Sequence, residues 1–372
     1  MDRRTCLGLL AAAPLAMAAA PRGRGYSDAD YRRAIVIDGL GAPTDPDGRD
    51  GVWRYSARGA AELRQSGTTA IHVTMGAPGN QPDVFASTIA EMAATGQLID
   101  ANPELFVHAR RAADIRAAKA AGKTALVLGV QDSSMIGTEL DRIGELAGLG
   151  LRIMQLTYNL RNLSGDGALE PDNAGLSKLG RATIERIEAE KLLLDLSHGG
   201  QRTIAEGAAA ATRPLTISHT GCRALHDNPR NTEDASMKLV ADKGGVVGIY
   251  WMPFLVPSGK PSASDLVRHL AHAVNVCGED HVGIGTDGGL SALVINDEAR
   301  ERQRRFYEGR AARGIAAPGE GADIFNYVAD LNSHMRFRML AGALSDAGWP
   351  AARIDKVLGA NVLRLYGEAW GG

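Results

Sequence analysis

Residues 192–219 read LLLDLSHGGQRTIAEGAAAATRPLTISH, and this stretch decides the fold. It opens on an apolar run over 192–198 and turns at Gly199-Gly200. It then passes through a helix-forming segment at 202–210 and returns to a second apolar run over 215–219. Apolar runs without polar alternation mark strands buried on both faces, as in a parallel sheet. Each of the two runs closes on a histidine, His198 and His219.

Working outward, six more such runs occur, at 34–39, 69–75, 125–131, 152–158, 245–251 and 281–287. Between the runs lie stretches with helical character at 84–94, 103–121, 178–190, 202–210, 235–243 and 263–276. Eight strand–helix units predict an α/β fold of the (β/α)8 TIM-type barrel kind. A doubly wound open sheet is the alternative. It is weakened by the first strand, which runs into Asp38-Gly-Leu-Gly-Ala-Pro and not into a G-x-G-x-x-G turn. No linker divides residues 34–372, which read as one domain.

Composition agrees with this and excludes other classes. The chain has 372 residues, 45% hydrophobic and 23% charged, enough for a sizeable core. Its 41 Lys+Arg against 43 Asp+Glu give a net charge of -2, which supplies no pull toward nucleic acid. The cysteines, Cys6, Cys222 and Cys277, form no CxxC pattern, so no thiolate zinc site is expected. Residues 1–20, MDRRTCLGLLAAAPLAMAAA, set Arg3-Arg4 before a short Ala-rich apolar run. That is the layout of a bacterial export signal of twin-arginine type, followed by a linker over 21–33. The expected location is therefore periplasmic or otherwise exported, with no stable membrane span once the signal is removed.

In a barrel, reactive groups collect at the C-terminal ends of the strands. The residues at those ends are Asp38, His72, Gln131-Asp132, Tyr158-Asn159, His198, His219, Trp251 and Asp287. Two histidines ending consecutive strands sit side by side, and paired imidazoles suit zinc. Asp287 is placed to accept a proton from a metal-bound water or to ligate the metal. Asp38, Asp195 and Ser197 read as structural braces. His108, His226, His269, His272, His281 and His334 fall in helical, loop or strand-start contexts and read as surface or structural residues.

The segment 192–231 resembles the signature of the membrane dipeptidase (renal dipeptidase) family of barrel metallopeptidases. Gly244-Gly-Val-Val-Gly-Ile resembles the family's seventh strand, Asp280-His-Val-Gly-Ile-Gly-Thr-Asp its eighth, and Leu358-Gly-Ala-Asn-Val-Leu-Arg-Leu-Tyr its closing helix. The resemblance implies hydrolysis of a dipeptide at a binuclear zinc site, and often a homodimer. It implies that His198 and His219 hold the second metal, that Asp287 handles the proton and that Arg230 binds the substrate carboxylate.

The departures fall on the first metal. The family's His-x-Asp pair is here Leu40 and Ala42, which offer no lone pair. The bridging glutamate is Gln131, a weak ligand, and the strand-four histidine that polarises the scissile carbonyl is Tyr158. The second aspartate of the family's Ser-Asp-x-Asp is Gly289. One zinc ion is therefore expected and not two, with a metal-free protein as the other outcome. Under the first reading the site hydrolyses a dipeptide or small amide. Arg230 and Tyr158 bind the substrate, Tyr158 or Gln131 faces the oxyanion, and Asp132 is a weak candidate base. Two alternatives stand beside it: an isomerase or tailoring enzyme acting on a small peptide-derived metabolite, and an inactive binding or scaffold protein. The charged segment 297–313 reads as a solvated helix or a lid. Asp45, Asp47 and Asp50 in the loop 41–60 are remote candidates for substitute ligands.

Overall fold

The computed structural model describes residues 25–49, 51–79 and 83–371. The export signal read over residues 1–20, and Asp50, lie outside them. Within them all eight apolar runs contain a strand. We number the barrel strands β1 (Ile37–Asp38), β2 (Ala70–Thr74), β3 (Thr124–Val130), β4 (Leu151–Gln155), β5 (Leu193–Asp195), β6 (Thr216–Thr220), β7 (Val246–Ile249) and β8 (Val282–Ile284). Each pairs in parallel with the next, from Ile37 opposite Ala70 in β1–β2 to Ile284 opposite Ile249 in β8–β7. The wheel nearly closes, because the Gly39 amide donates to the Ile284 carbonyl at 2.7 Å. Any side chain at 39 would sit 2.8 Å from that same oxygen, so glycine is required there.

Alternation along the strands sorts the core. Ile37, Ala70, Ala125, Val127, Ile153, Leu193 and Val246 share a buried cluster with Val362, Tyr366 and Trp370 of the last helix, Asn361–Trp370. That amphipathic helix plugs the barrel. The alternate residues, among them Leu126, Leu128, Leu194, Ile217 and Val247, join the larger cluster under the surrounding helices. Nearer the rim a polar layer is buried: His72, Gln155, Asp195 and Ser218. Gly129 makes room for it, since a Cβ at 129 would stand 2.0 Å from His72 Nε2.

Two local expectations change. The stretch 103–121, read as one helix, is a strand, Phe106–His108, followed by a helix, Ala112–Ala120. Phe106–His108 pairs with β3 as an outer strand, and this long-range pairing overrides the helical pattern of the alanines around it. The part of the 21–33 linker that is described forms a helix at Asp28–Arg33, closed by a capping box on Ser27 and Asp30. Tyr26 and Tyr31 flank and anchor it as buried residues.

Candidate active site

The rim is built by a few irregularities that turn side chains inward. His198 (φ 61°) and Asp287 (φ 54°) both occupy the left-handed region, just after β5 and β8. Non-glycine residues are held there only by their surroundings, and such positions concentrate at functional sites. Between β6 and β7 the register slips from Ile217 opposite Val247 to Thr220 opposite Ile249. The irregularity falls on Ser218 and His219, the point where a bulge can re-aim side chains.

Both imidazoles are held by defined partners. Asn159 Nδ2 donates to the Ile315 carbonyl at 2.7 Å, which leaves Asn159 Oδ1 to accept from His198 Nδ1 at 2.6 Å. His198 Nε2 is therefore a lone pair, and it is buried with no partner among the described residues. His219 Nδ1 lies 2.8 Å from Ser218 Oγ, which in turn donates to Asp195. Among the described residues His219 Nε2 meets only the Gln131 amide nitrogen, at 3.4 Å. The two rings lie edge to face with centroids 4.8 Å apart. Burial, reinforced by the charge of Arg230, holds both well below the usual histidine range, so both are neutral.

Tyr158 stacks on His198 at 4.1 Å. Its hydroxyl accepts from Arg310 Nη1 at 2.9 Å. Arg310 belongs to the helix Asp297–Ala312 and forms a two-point ion pair with Glu320 at 2.6 and 2.7 Å. The charged segment 297–313 thus contributes a buried residue to the rim. Neither Arg310 nor Glu320 is detectable from the sequence, because Arg310 is one arginine in a run of exposed ones. Arg230 is 4% exposed, and its guanidinium has no hydrogen bond or ion pair among the described residues. It faces the Tyr250 ring at 6.0 Å. Among the described residues Asp287 has no side-chain hydrogen bond. Burial pushes its carboxyl up to about 6, against the lowering influence of Arg230 and Arg310.

Other candidates are structural. Asp132 accepts from Gly79, Ser134 and Asn162, so its oxygens organise loops and are not free to act as a base. Asp45 caps the helix Ala57–Ser66 through Ser56, and Asp47 pairs with Arg58. Asp38 accepts from Thr286 N and Oγ1 at 2.8 and 2.6 Å and so braces the first loop. His72 Nδ1 contacts the Gly39 carbonyl at 2.7 Å, and its Nε2 is buried without a partner. Trp251 also keeps a buried, unpartnered Nε1.

On the first-metal side the wall is apolar. Leu40, Ala42, Val73, Met75 and Leu98, with Gln131 and Asp287, line a cavity of about 530 Å³. Gly41–Ala42 pairs with Gly288–Gly289, which fixes this loop. A Cβ at Gly289 would stand 2.6 Å from Thr44 Cγ2, so an aspartate there would have to displace the Thr44 side chain. A binuclear centre does not fit these residues. Among the described residues no three or more His, Cys, Asp or Glu side chains gather as a metal site. The two Nε2 atoms do fit as part of a one-ion site, since each imidazole is oriented by a partner on its other nitrogen.

A parallel barrel with polar groups converging at its strand ends places the protein in the (β/α)8 barrel class. The comparisons narrow the class. The profile of the membrane dipeptidase family (peptidase family M19) matches residues 57–298, and the chain belongs to this family of metallopeptidases. It is 26% identical over 270 residues to an uncharacterized Klebsiella pneumoniae protein of the pqqA 5′ region, covering 70% of this chain and 87% of that one. It is 25% identical over 209 residues to dipeptidase verJ of Clonostachys rogersoniana, covering 56% and 54% of the two chains. The crystal structure of an amidohydrolase from Pseudomonas aeruginosa superposes with a TM-score of 0.78 at 28% identity, covering 92% and 99%. A Rhodobacter sphaeroides metallopeptidase, bound to a phosphinate mimic of L-Ala-D-Ala, shares the fold with a TM-score of 0.72 at 20% identity, covering 91% and 100%.

Proposed function

We propose that the chain hydrolyses a dipeptide or related small amide carrying a carboxylate, with one zinc ion held by His198 and His219. The Gln131 amide stands beside them as a weak third donor. The observation that carries this reading is the unpaired Arg230 guanidinium. A buried cation without a direct hydrogen-bonded partner is costly, and a substrate carboxylate supplies that partner.

A zinc ion bound here supplies Lewis-acid polarisation of the amide carbonyl and a more acidic water. The protein's own groups do the rest. Asp287 takes the proton from the attacking water and passes it to the leaving amine nitrogen. Tyr158 receives its hydrogen bond from Arg310, which leaves its own hydroxyl proton free to donate to the carbonyl oxygen as charge develops there. Asn159 and the Ser218–Asp195 pair keep the two imidazoles in the tautomer that presents Nε2.

The test is metal content together with a dipeptide panel that includes D-residues at the C-terminal position. About one zinc per chain is expected, lost together with activity in His198→Ala. The apolar wall at Leu40 and Ala42 favours a second reading, in which the pocket binds or isomerises a peptide-derived metabolite with Tyr158 as acid or base. Fully folded protein that holds no metal yet binds such compounds would select that reading.

A further inference from the structure

We propose that the cavity beside Gln131 and Asp287 is an acyl subsite, so that the substrate is an N-acylated amino acid and not a dipeptide with a free amine. This rests on the hydrolytic reading above and names its substrate class.

The cavity, about 530 Å³, lies within the range that takes a small ligand. Leu40 and Ala42 come from the loop after β1, Val73 and Met75 from the end of β2, and Leu98 from the helix Val84–Ala101. The wall is preformed. Asp287 N donates to the Leu40 carbonyl at 2.8 Å and Leu290 N to the Ala42 carbonyl at 2.9 Å, so the loop is fixed at both of its ends. Among the described residues Asp287 is the single ionisable group on the lining. Away from Asp287 the lining is neutral, so a ligand ammonium placed deeper in this space would give up its water shell with no partner in return. An alkyl chain gains on the same transfer.

Asp287 also fixes the orientation. It lines the apolar cavity, whose lining does not include Arg230, yet it lies near enough to Arg230 to feel that charge. An amide beside Asp287 therefore has one side on the acyl cavity and the other on the guanidinium. An N-acyl amino acid has this polarity, with an uncharged chain on the carbonyl side and a carboxylate on the nitrogen side. Hydrolysis breaks its C–N bond and forms a C–O bond from water. Both water protons end on the amino acid nitrogen, and the products are a carboxylate and a free zwitterionic amino acid.

The experiment uses the full chain loaded with zinc and a series of N-acetyl-, N-butanoyl-, N-hexanoyl- and N-octanoyl-alanine, with Leu-Ala and Phe-Ala as free-amine controls. Turnover and calorimetric binding are measured on every compound. The expected kcat/KM rises about fourfold per added methylene until the cavity is filled, and the free dipeptides fall at least tenfold below the hexanoyl compound. Leu98→Trp, folded by thermal melt, flattens the series from hexanoyl upward. Chain-dependent binding without turnover of any compound upholds the subsite and overturns hydrolysis. Turnover that ignores chain length, or that prefers free dipeptides, overturns the subsite and leaves hydrolysis standing. No binding and no turnover of any compound overturns both.

Discussion

Arg310 Nη1 donates to the Tyr158 hydroxyl at 2.9 Å, and so ties the helix after β8 to the end of β4. The same guanidinium grips Glu320 with both carboxylate oxygens and reaches the Ile315 carbonyl, while Asn159, next to Tyr158, also bonds Ile315. One side chain thus locks the segment 310–320 over the rim and positions the ring that stacks on His198.

Removing Arg310 therefore acts on stability first. Glu320 is nearly inaccessible in the pair, and breaking a buried ion pair from one side is destabilising by about 3–5 kcal/mol. Arg310→Ala is expected to lose that much in denaturant unfolding. Arg310→Lys keeps the charge but not the fork, and should recover less than half of it. Full recovery by lysine would show that the two-point geometry contributes nothing.

Arg230 makes the opposite trade. Among the described residues its guanidinium has no hydrogen bond or ion pair, and burial disfavours its charged form, so Arg230→Met is expected to raise the melting temperature. The same substitution should remove discrimination for the substrate carboxylate. Wild-type protein should prefer a free acid to its methyl ester by about 10- to 100-fold, the worth of a hydrogen bond to a charged group. The variant should treat the two within a factor of about three. A lowered melting temperature together with an unchanged ester ratio would remove Arg230 from the binding role.

The contrast between Arg230 and Arg310 shows what the sequence could carry. The eight strands were readable because most are continuous apolar, β-branched runs bounded by glycine or polar residues, and the barrel follows from their number. His198, His219 and Asp287 were readable as strand ends. The left-handed backbone that turns His198 and Asp287 was not, because it is fixed by neighbours such as the Gly41–Ala42 pairing and not by local propensity. Arg310 lies in a segment whose composition is that of any solvated helix, and its burial depends on Glu320 ten positions on. The strand at Phe106–His108 was hidden for a similar reason, since its ladder partner is β3 and not a sequence neighbour.

Asp38 should make stability depend on pH. Burial pushes its carboxyl from the usual 3.8 up to about 7, despite the donors on Thr286 and Leu40. Between those values the folded state binds the extra proton, so its contribution is fully present below about pH 4 and is lost as the pH rises through about 7. The slope is on the order of 1.4 kcal/mol per pH unit. Asp38→Asn keeps an acceptor for the two backbone amides and offers Thr286 a donor. Its unfolding free energy should stay level across this window where the wild type declines. Parallel curves for the two proteins would discount Asp38 as the source.

Under the proposed mechanism Asp287 sets a separate limit on activity. Acting as a proton acceptor, it must be ionised, and its carboxyl is raised to about 6. The kcat/KM profile is expected to fall about tenfold per pH unit below that point. Asp287→Asn should remove most of the activity and the acid limb with it. An acid limb that persists in the asparagine variant belongs to another group.

Restoring the lost ligands tests whether the apolar wall alone excludes a second metal. Leu40 and Ala42 already line the cavity, and the Gln131 amide already stands 3.4 Å from His219 Nε2, so the triple variant Leu40→His, Ala42→Asp, Gln131→Glu alters side chains on a fixed backbone. Without metal, the new imidazole and carboxylates are polar groups brought into an apolar space, and the melting temperature in chelator should fall by several degrees. Zinc binds only the folded state, so adding it should recover the loss and more. Metal content is expected to rise from about one to about two per chain, and the chain-length preference for acylated substrates should collapse as the cavity turns polar. Unchanged metal content with the fold intact would place the obstacle in the backbone pairing of Gly41–Ala42 with Gly288–Gly289 and not in the side chains that line the wall.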